Sequence, residues 1–226
     1  MSTSAGEELL ATLLGPDTPG VRLIAVSSLH GSATVDGTSE VMGNATDAAL
    51  FGALRAWAEV AVVGSATVEA EGYFAPAPGH ARLAVLSSSL SFDPGTDFFS
   101  AHPLVLCPDS RVDSPEARAM EDRGAEVRGV GKGSVPEVIE ALRGAGYRRI
   151  SCEGGPSVYS AFIAAGAVDT FYLTLDPHLA AAVEHPVVGA ADQDSAEIPE
   201  SLQMTLENVT AVGSTVFLRY ARTPAP

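Results

Sequence analysis

Residues 148–163 read RRISCEGGPSVYSAFI. Arg149-Ile150-Ser151-Cys152 is a short run of strand type. It leads into an acid, Glu153, then Gly154, Gly155 and Pro156. After Pro156 the apolar spacing turns helical, with Val158, Phe162 and Ile163 on one side. Proline suits a first helical position, where its missing N–H would have no partner in any case. The stretch therefore predicts strand, tight glycine turn, helix. The glycines keep side chains away from a place where a ligand could approach the backbone. The helix start offers unpaired N–H groups and a positive dipole end, which suit a phosphate. An acid at the carboxyl end of a strand, beside such a turn, stands where open α/β sheets bind ligands. Taken alone, the stretch fits an ordinary βα connection equally well.

Working outward, Val21–Leu29 and Val60–Gly64 are apolar runs bounded by glycine and read as buried strands. The second ends in Gly64-Ser65-Ala66-Thr67, another glycine turn at a strand end. Neither turn matches the G-x-G-x-x-G fingerprint. Between these strands lie a loop, 30–44, and a helix over 46–57, with Asn44 as a candidate cap and Leu50, Phe51, Leu54 and Trp57 on its apolar face. Phe74–Gly79 is a proline-rich loop. Leu83–Leu86, Leu104–Cys107 and Ala125–Val127 are short strands. Ser114–Arg123 and Ser134–Arg143 are helices with proline near their starts. Asp169–Leu175 alternates as a strand, 178–201 is irregular, and Met204–Val209 with Ser214–Tyr220 forms a closing antiparallel pair. Strands alternating with helices predict an α/β fold: a mostly parallel central sheet, helices on both faces and antiparallel C-terminal strands.

The 226 residues suit one domain, 1–226, with residues 1–20 as a flexible or loosely packed extension. Hydrophobic residues make up 46% and charged residues 18%, a globular balance. No apolar run approaches the ~18 residues of a membrane span. The N-terminus carries no signal-type apolar block, so a cytoplasmic location is expected. A net charge of -15 disfavours nucleic acid and anionic membranes as partners. A phosphate ligand would have to be held by local groups, mainly arginines, because Lys132 is the single lysine. Cys107 and Cys152 suggest neither a disulfide framework nor a zinc site, and the five histidines show no metal-type spacing. Arg55, beside Leu54 and Trp57, is either an exposed helix residue or a planar clamp for a phosphate.

Read in order, four segments resemble the reductase domain of bacterial riboflavin biosynthesis, which is similar in fold to dihydrofolate reductase. They are Ser28-Leu29-His30-Gly31 with residues 33–39, ATVDGTS; then Leu54-Arg55-Ala56; then residues 63–73, VGSATVEAEGY; and Glu153-Gly154-Gly155-Pro156-Ser157. The resemblance implies an NADPH-dependent oxidoreductase that turns the ribosylamino group of a pyrimidine 5′-phosphate into a ribitylamino group. By motif position, it implies that Gly64, Thr67, Glu71, Gly154, Gly155, Pro156, Ser157, Val158 and Tyr159 hold the cofactor. Val26 and Val41 would border it, and Ser87 or Ser88 would reach its 2′-phosphate end. Ser39, Arg55, Glu153 and His30 would face the substrate, with Arg55 on its phosphate. Glu153 and Glu71 are the catalytic candidates, and a homodimer is implied.

Three departures bear on the substrate. His30 stands where the family pattern has an acid. Residues 74–78, FAPAP, lack an arginine that bifunctional members carry there, and the zinc deaminase domain of those members has no counterpart. A reductase of another substrate, such as a pterin-like ring, therefore remains a second reading, and a nucleotide-binding protein without turnover a third.

Overall fold

The computed structural model describes residues 3–71, 81–93, 95, 97–189 and 201–223. The strands are β1 (Gly20–Ser28), β2 (Val60–Gly64), β3 (Arg82–Leu86), β4 (Leu104–Cys107), β5 (Glu126–Gly129), β6 (Arg149–Gly154), β7 (Thr170–Asp176), β8 (Met204–Val212) and β9 (Thr215–Arg222). The helices are α1 (Thr3–Leu14), α2 (Ala45–Trp57), α3 (Ser65–Glu71), α4 (Pro115–Glu121), α5 (Val135–Gly144) and α6 (Pro156–Ala164). Among the described residues the strands form one sheet in the order β5-β4-β3-β2-β6-β1-β7-β9-β8. β1 to β7 pair in parallel, and β9 is antiparallel to both β7 and β8. This is the predicted α/β architecture, with β6 and β1 at its centre.

The central strands are apolar on both faces because both faces are covered. Every residue of β2 is buried. On one face, Ala61 and Val63 pack with Leu50, Leu54 and Trp57 of α2, Met120 of α4, and Phe98 and Phe99. On the other, Val60 and Val62 pack with Val138 and Leu142 of α5 and with Val158 and Phe162 of α6. The predicted Asn44 cap is present. Asn44 Oδ1 accepts from the N–H groups of Thr46 and Asp47 at 2.8 and 3.1 Å. Ser134 and Glu137 form a capping box on α5.

The N-terminal residues differ from expectation. In place of a loosely packed extension, residues 3–14 form α1, whose Leu13 is 2% exposed. The physical reason is Arg22, a buried arginine in β1. Its guanidinium lies 3.8 Å from the centroid of the Trp57 ring and donates to the carbonyls of Leu14, Pro16 and Thr18. These contacts tie the end of α1 and the chain after it to the sheet. The residues after Gly64 also differ: they enter helix α3 directly at Ser65. The proline-rich loop expected at Phe74–Gly79 lies outside the described residues.

Candidate functional site

Parallel pairing brings the carboxyl ends of β2, β6, β1 and β7 side by side, and the site is built there. β6 ends with an irregularity. Its pairing with β2 runs Val62↔Cys152 and then Val63↔Gly154, so Glu153 has no partner in the register. A residue bulged out of a ladder is re-aimed, and Glu153 turns towards α2. Its side chain is 1% exposed and lies against the Arg55 guanidinium. Arg55 Nε donates to Glu153 Oε1 at 2.9 Å and Nη2 donates to Oε2 at 2.7 Å. The guanidinium also sits 4.5 Å from the centroid of the Phe51 ring. Two residues named separately from the sequence thus form one bidentate pair. The Nε–Nη2 edge that would suit a phosphate faces a carboxylate of the protein itself.

The two glycine turns meet beside this pair. Gly154 and Gly155 are joined by a cis peptide bond, and Gly154 has φ +85°. A Cβ on Gly154 would run into the Tyr159 ring, one on Gly155 would stand 2.7 Å from Thr67 Oγ1, and one on Gly64 would stand 3.0 Å from Val158 Cγ2. The starts of α3 and α6 therefore pack closely against each other, with glycine at the points of contact. Gly155 is the N-cap of α6 and supplies no side-chain hydrogen bond, and Pro156 follows in the first turn. Ser157 is exposed.

Val158 and Tyr159, expected to touch the cofactor, turn their side chains into the core, each 7% exposed. The Tyr159 hydroxyl donates to the carbonyls of Ile24 (2.5 Å) and Glu153 (3.0 Å), locking β1, β6 and α6 together. Burial pushes its phenol well above the ordinary value. Burial likewise pushes the Cys152 thiol up to about 12, so it is an inert core residue. Ser87 is buried, and its Oγ accepts from Leu90 N–H at 3.0 Å, closing a turn, while Ser88 next to it is exposed. Glu71 ends α3, and its side chain lies outside the described residues.

The remaining expected residues lie around β1 and β7. Val26 is half-buried and pairs with Thr174, Val41 is 52% exposed, and Ser39 is half-buried with its carbonyl accepting from Met42 N–H at 3.0 Å. His30 braces a loop: its Nδ1 accepts from Ala180 N–H at 3.2 Å. Ser32 Oγ, nearby, accepts from Glu184 and His185 N–H, joining the loop after β1 to the segment after β7.

Sequence reasoning missed Asp47 and Asp176. Asp47 Oδ1 accepts from Thr174 Oγ1 at 2.5 Å. Burial, partly offset by that bond and reinforced by the nearby Asp176 charge, raises its carboxyl above the usual range. Asp176 is 3% exposed and accepts from Gly43 N–H (2.8 Å), from His178 N–H (3.1 Å) and from the His178 ring. Burial works against its charge, but these bonds outweigh it and hold the carboxyl below the usual range. Asp47 could have been found: with Phe51 and Arg55 it forms an i, i+4, i+8 stripe on α2.

Among the described residues, no group of three histidine, cysteine, aspartate or glutamate side chains could hold a metal ion. No helix is long and apolar enough to cross a membrane.

The fold and site can be compared with known proteins. A pyrimidine reductase-like protein of Corynebacterium diphtheriae is 30% identical, superposes with a TM-score of 0.81, and is covered over 99% of its length by 97% of this chain. RibD of Acinetobacter baumannii is 18% identical with a TM-score of 0.74; 92% of this chain covers 59% of that one. Dihydrofolate reductase from Enterococcus faecalis, solved with NADP(H), is 17% identical with a TM-score of 0.51 over 91% of this chain and 97% of that one. The fold is therefore dihydrofolate-reductase-like. A search of curated proteins finds no match. Residues 19–218 match the RibD C-terminal domain, and the chain belongs to that family.

Proposed function

We propose that this chain is an NADPH-dependent reductase that converts a 5-amino-6-(5-phosphoribosylamino)pyrimidine to its ribitylamino form, as a single reductase domain over 1–226. The observation that carries the reading is the bulged end of β6, which sets Glu153 directly before the Gly154–Gly155 turn and beside the start of α3. The seam fits a dinucleotide. Its glycines let the starts of α3 and α6 stand side by side, and α6 begins without a side-chain cap. Gly64, Thr67 and the backbone of Gly154–Ser157 would hold the diphosphate, with Glu71 beside them and Val26 and Val41 bordering the nicotinamide. Tyr159 acts from beneath, fixing the turn through the Glu153 carbonyl.

Bound NADPH supplies the hydride. The chain's part is to align the two carbons and exclude water. Glu153, held through both oxygens by Arg55, faces the substrate in this reading. Arg55 orients Glu153 and carries the positive charge for the substrate phosphate, and Ser39 closes the same side. Glu153 and Glu71 are the candidate proton donors. A homodimer fits the same reading. Leu206 and Val209, 48% and 59% exposed on the outermost strand β8, are the apolar side chains available there.

One observation favours a second reading, a reductase of another substrate such as a pterin-like ring: the Nε–Nη2 edge of Arg55 faces Glu153. Binding separates the parts of the proposal. In a fluorescence titration, Gly155→Asp should lose NADPH, because its side chain enters the diphosphate space with a like charge, while its circular dichroism stays native. Native NADPH affinity in that variant would refute the cofactor site. Equal affinity of the wild type for the phosphorylated pyrimidine and its dephosphorylated analogue would move the substrate assignment to the second reading.

A further inference from the structure

We propose that Glu184 is a positioning residue for the reaction: it grips the loop after β1 and so sets where Ser39 and Val41 stand. This role rests on the reductase reading, in which Ser39 faces the substrate and Val41 borders the nicotinamide. The grip falls on a tight turn. Val35 N–H donates to the Thr38 carbonyl at 2.9 Å, and Thr38 N–H donates back to the Val35 carbonyl at 3.3 Å. The two residues between them, Asp36 and Gly37, have φ +54° and +79°. Positive φ at both central positions belongs to the type I′ turn, for which Asp-Gly is a favoured pair. Successive N–H groups in such a turn make a concavity for an anion. Glu184 supplies the anion. Its Oε1 accepts from Asp36 N–H, and its Oε2 accepts from Gly37 N–H and from Thr34 Oγ1, each at 3.0 Å. The N–H groups of Gly37 and Asp36, with the Thr34 hydroxyl, hold its carboxyl below the usual range. Thr34 has one hydrogen to give and gives it to Glu184, so His185 Nδ1, 3.0 Å from Thr34 Oγ1, is a donor to that oxygen.

The carboxylate is itself fixed in place. Glu184 and His185 N–H donate to Ser32 Oγ at 3.2 and 3.3 Å, and Ala33 N–H donates to the His185 carbonyl at 2.7 Å. Farther on, Gly189 N–H donates to the Pro156 carbonyl at 3.3 Å, and Ser160 Oγ donates to the Gly189 carbonyl at 2.8 Å. The segment 178–189 thus runs from the end of β7, past the loop after β1, to the first turn of α6. Ser39 and Val41 lie between two carboxylates on this side of the sheet. Glu184 holds the chain at residues 36 and 37, and Asp176 holds it at Gly43, whose N–H donates at 2.8 Å. Without Glu184 the loop keeps its tie at Gly43 but loses the one ahead of Ser39. Glu184 is exposed, and exposed substitutions change global stability little, so its loss belongs in the kinetics and not in the unfolding curve. Glutamine is no substitute. Three donors converge on two carboxylate oxygens, and an amide offers one oxygen and an NH₂ group that faces N–H.

The test is chemical rescue in the whole protein. Glu184→Ala opens the turn, and formate, a free carboxylate, is the probe that refills it. Steady-state kinetics with NADPH and the phosphorylated ribosylaminopyrimidine should show kcat/KM down about tenfold to hundredfold in Glu184→Ala, the scale of a misplaced contact, with an unchanged urea midpoint. Glu184→Gln should behave like Glu184→Ala. Formate should restore part of the lost kcat/KM in Glu184→Ala, potassium chloride at the same ionic strength should not, and neither should affect the wild type. Amide exchange supplies a readout that needs no turnover: Asp36 and Gly37 N–H should exchange slowly in the wild type, fast in Glu184→Ala, and slowly again with formate. Wild-type kcat/KM in Glu184→Ala would overturn the role while leaving the reductase reading standing. So would a loss matched by a fall in the urea midpoint, or one that persists when formate has restored slow exchange at residues 36 and 37. If the wild type does not turn the compound over, the reductase reading fails, and the role of Glu184 fails with it.

Discussion

The Glu153 side chain is 1% exposed and Arg55 is its ionic partner, so the proposed ligand role of each residue is coupled to its part in stability. Removing one partner of a buried pair costs far more than an exposed pair would, because a buried charge is left uncompensated. Arg55→Ala should therefore lower stability and also weaken the phosphorylated substrate about tenfold to hundredfold. Adding Glu153→Gln should restore much of the stability and none of the substrate affinity. Urea unfolding and substrate titration on the single and double variants separate the two effects, and full recovery of affinity in the double variant would deny Arg55 a role at the ligand. Arg55 and Glu153 were each singled out from their motifs. Their contact was not. It spans 98 residues and depends on a bulge that no local pattern announces. Tyr159 shows the reverse: its motif position suggested cofactor contact, but its place on the inner side of α6 makes it a core residue.

At the level of elements, the alternation of strands and helices and the Asn44 cap were readable because they are local. Helix α1 was not. Its segment, TSAGEELLATLL, is short and weakly patterned, and isolated helices of this length are marginal in water. Its stability comes from packing on α2 and from Arg22, which lies beyond it in the chain. Arg22→Met should keep the bulk and the contact with Trp57 but leave the carbonyls of Leu14, Pro16 and Thr18 without their donor. A loss of about 1.5–3 kcal/mol is expected, with faster amide exchange confined to α1 and the start of β1. Uniform exchange across the sheet would contradict the assignment of Arg22 as the anchor of α1.

For the whole molecule, acid is the informative perturbation. Asp176 has a folded pKa below its unfolded value near 3.9. Its contribution is therefore present above that unfolded value and lost as the pH falls through the folded one. Asp176→Asn should be less stable than wild type at neutral pH, and the two should converge below about pH 4 in urea midpoints. A gap that persists there would mean that packing, not charge, accounts for the loss. Asp176 joins the loop before α2 to the end of β7, so it also holds the rim of the site. In the proposed reaction this rim, the Arg55–Glu153 pair and the glycine turns act together on a phosphorylated ribosylaminopyrimidine. The most direct measurement is NADPH consumption by the whole protein with that compound, beside its dephosphorylated analogue, with the product identified by mass. A ribitylamino product formed in step with NADPH loss is expected, with a kcat/KM about tenfold to hundredfold higher for the phosphorylated form. No NADPH consumption with either compound, or equal kcat/KM for the two, would contradict this reading.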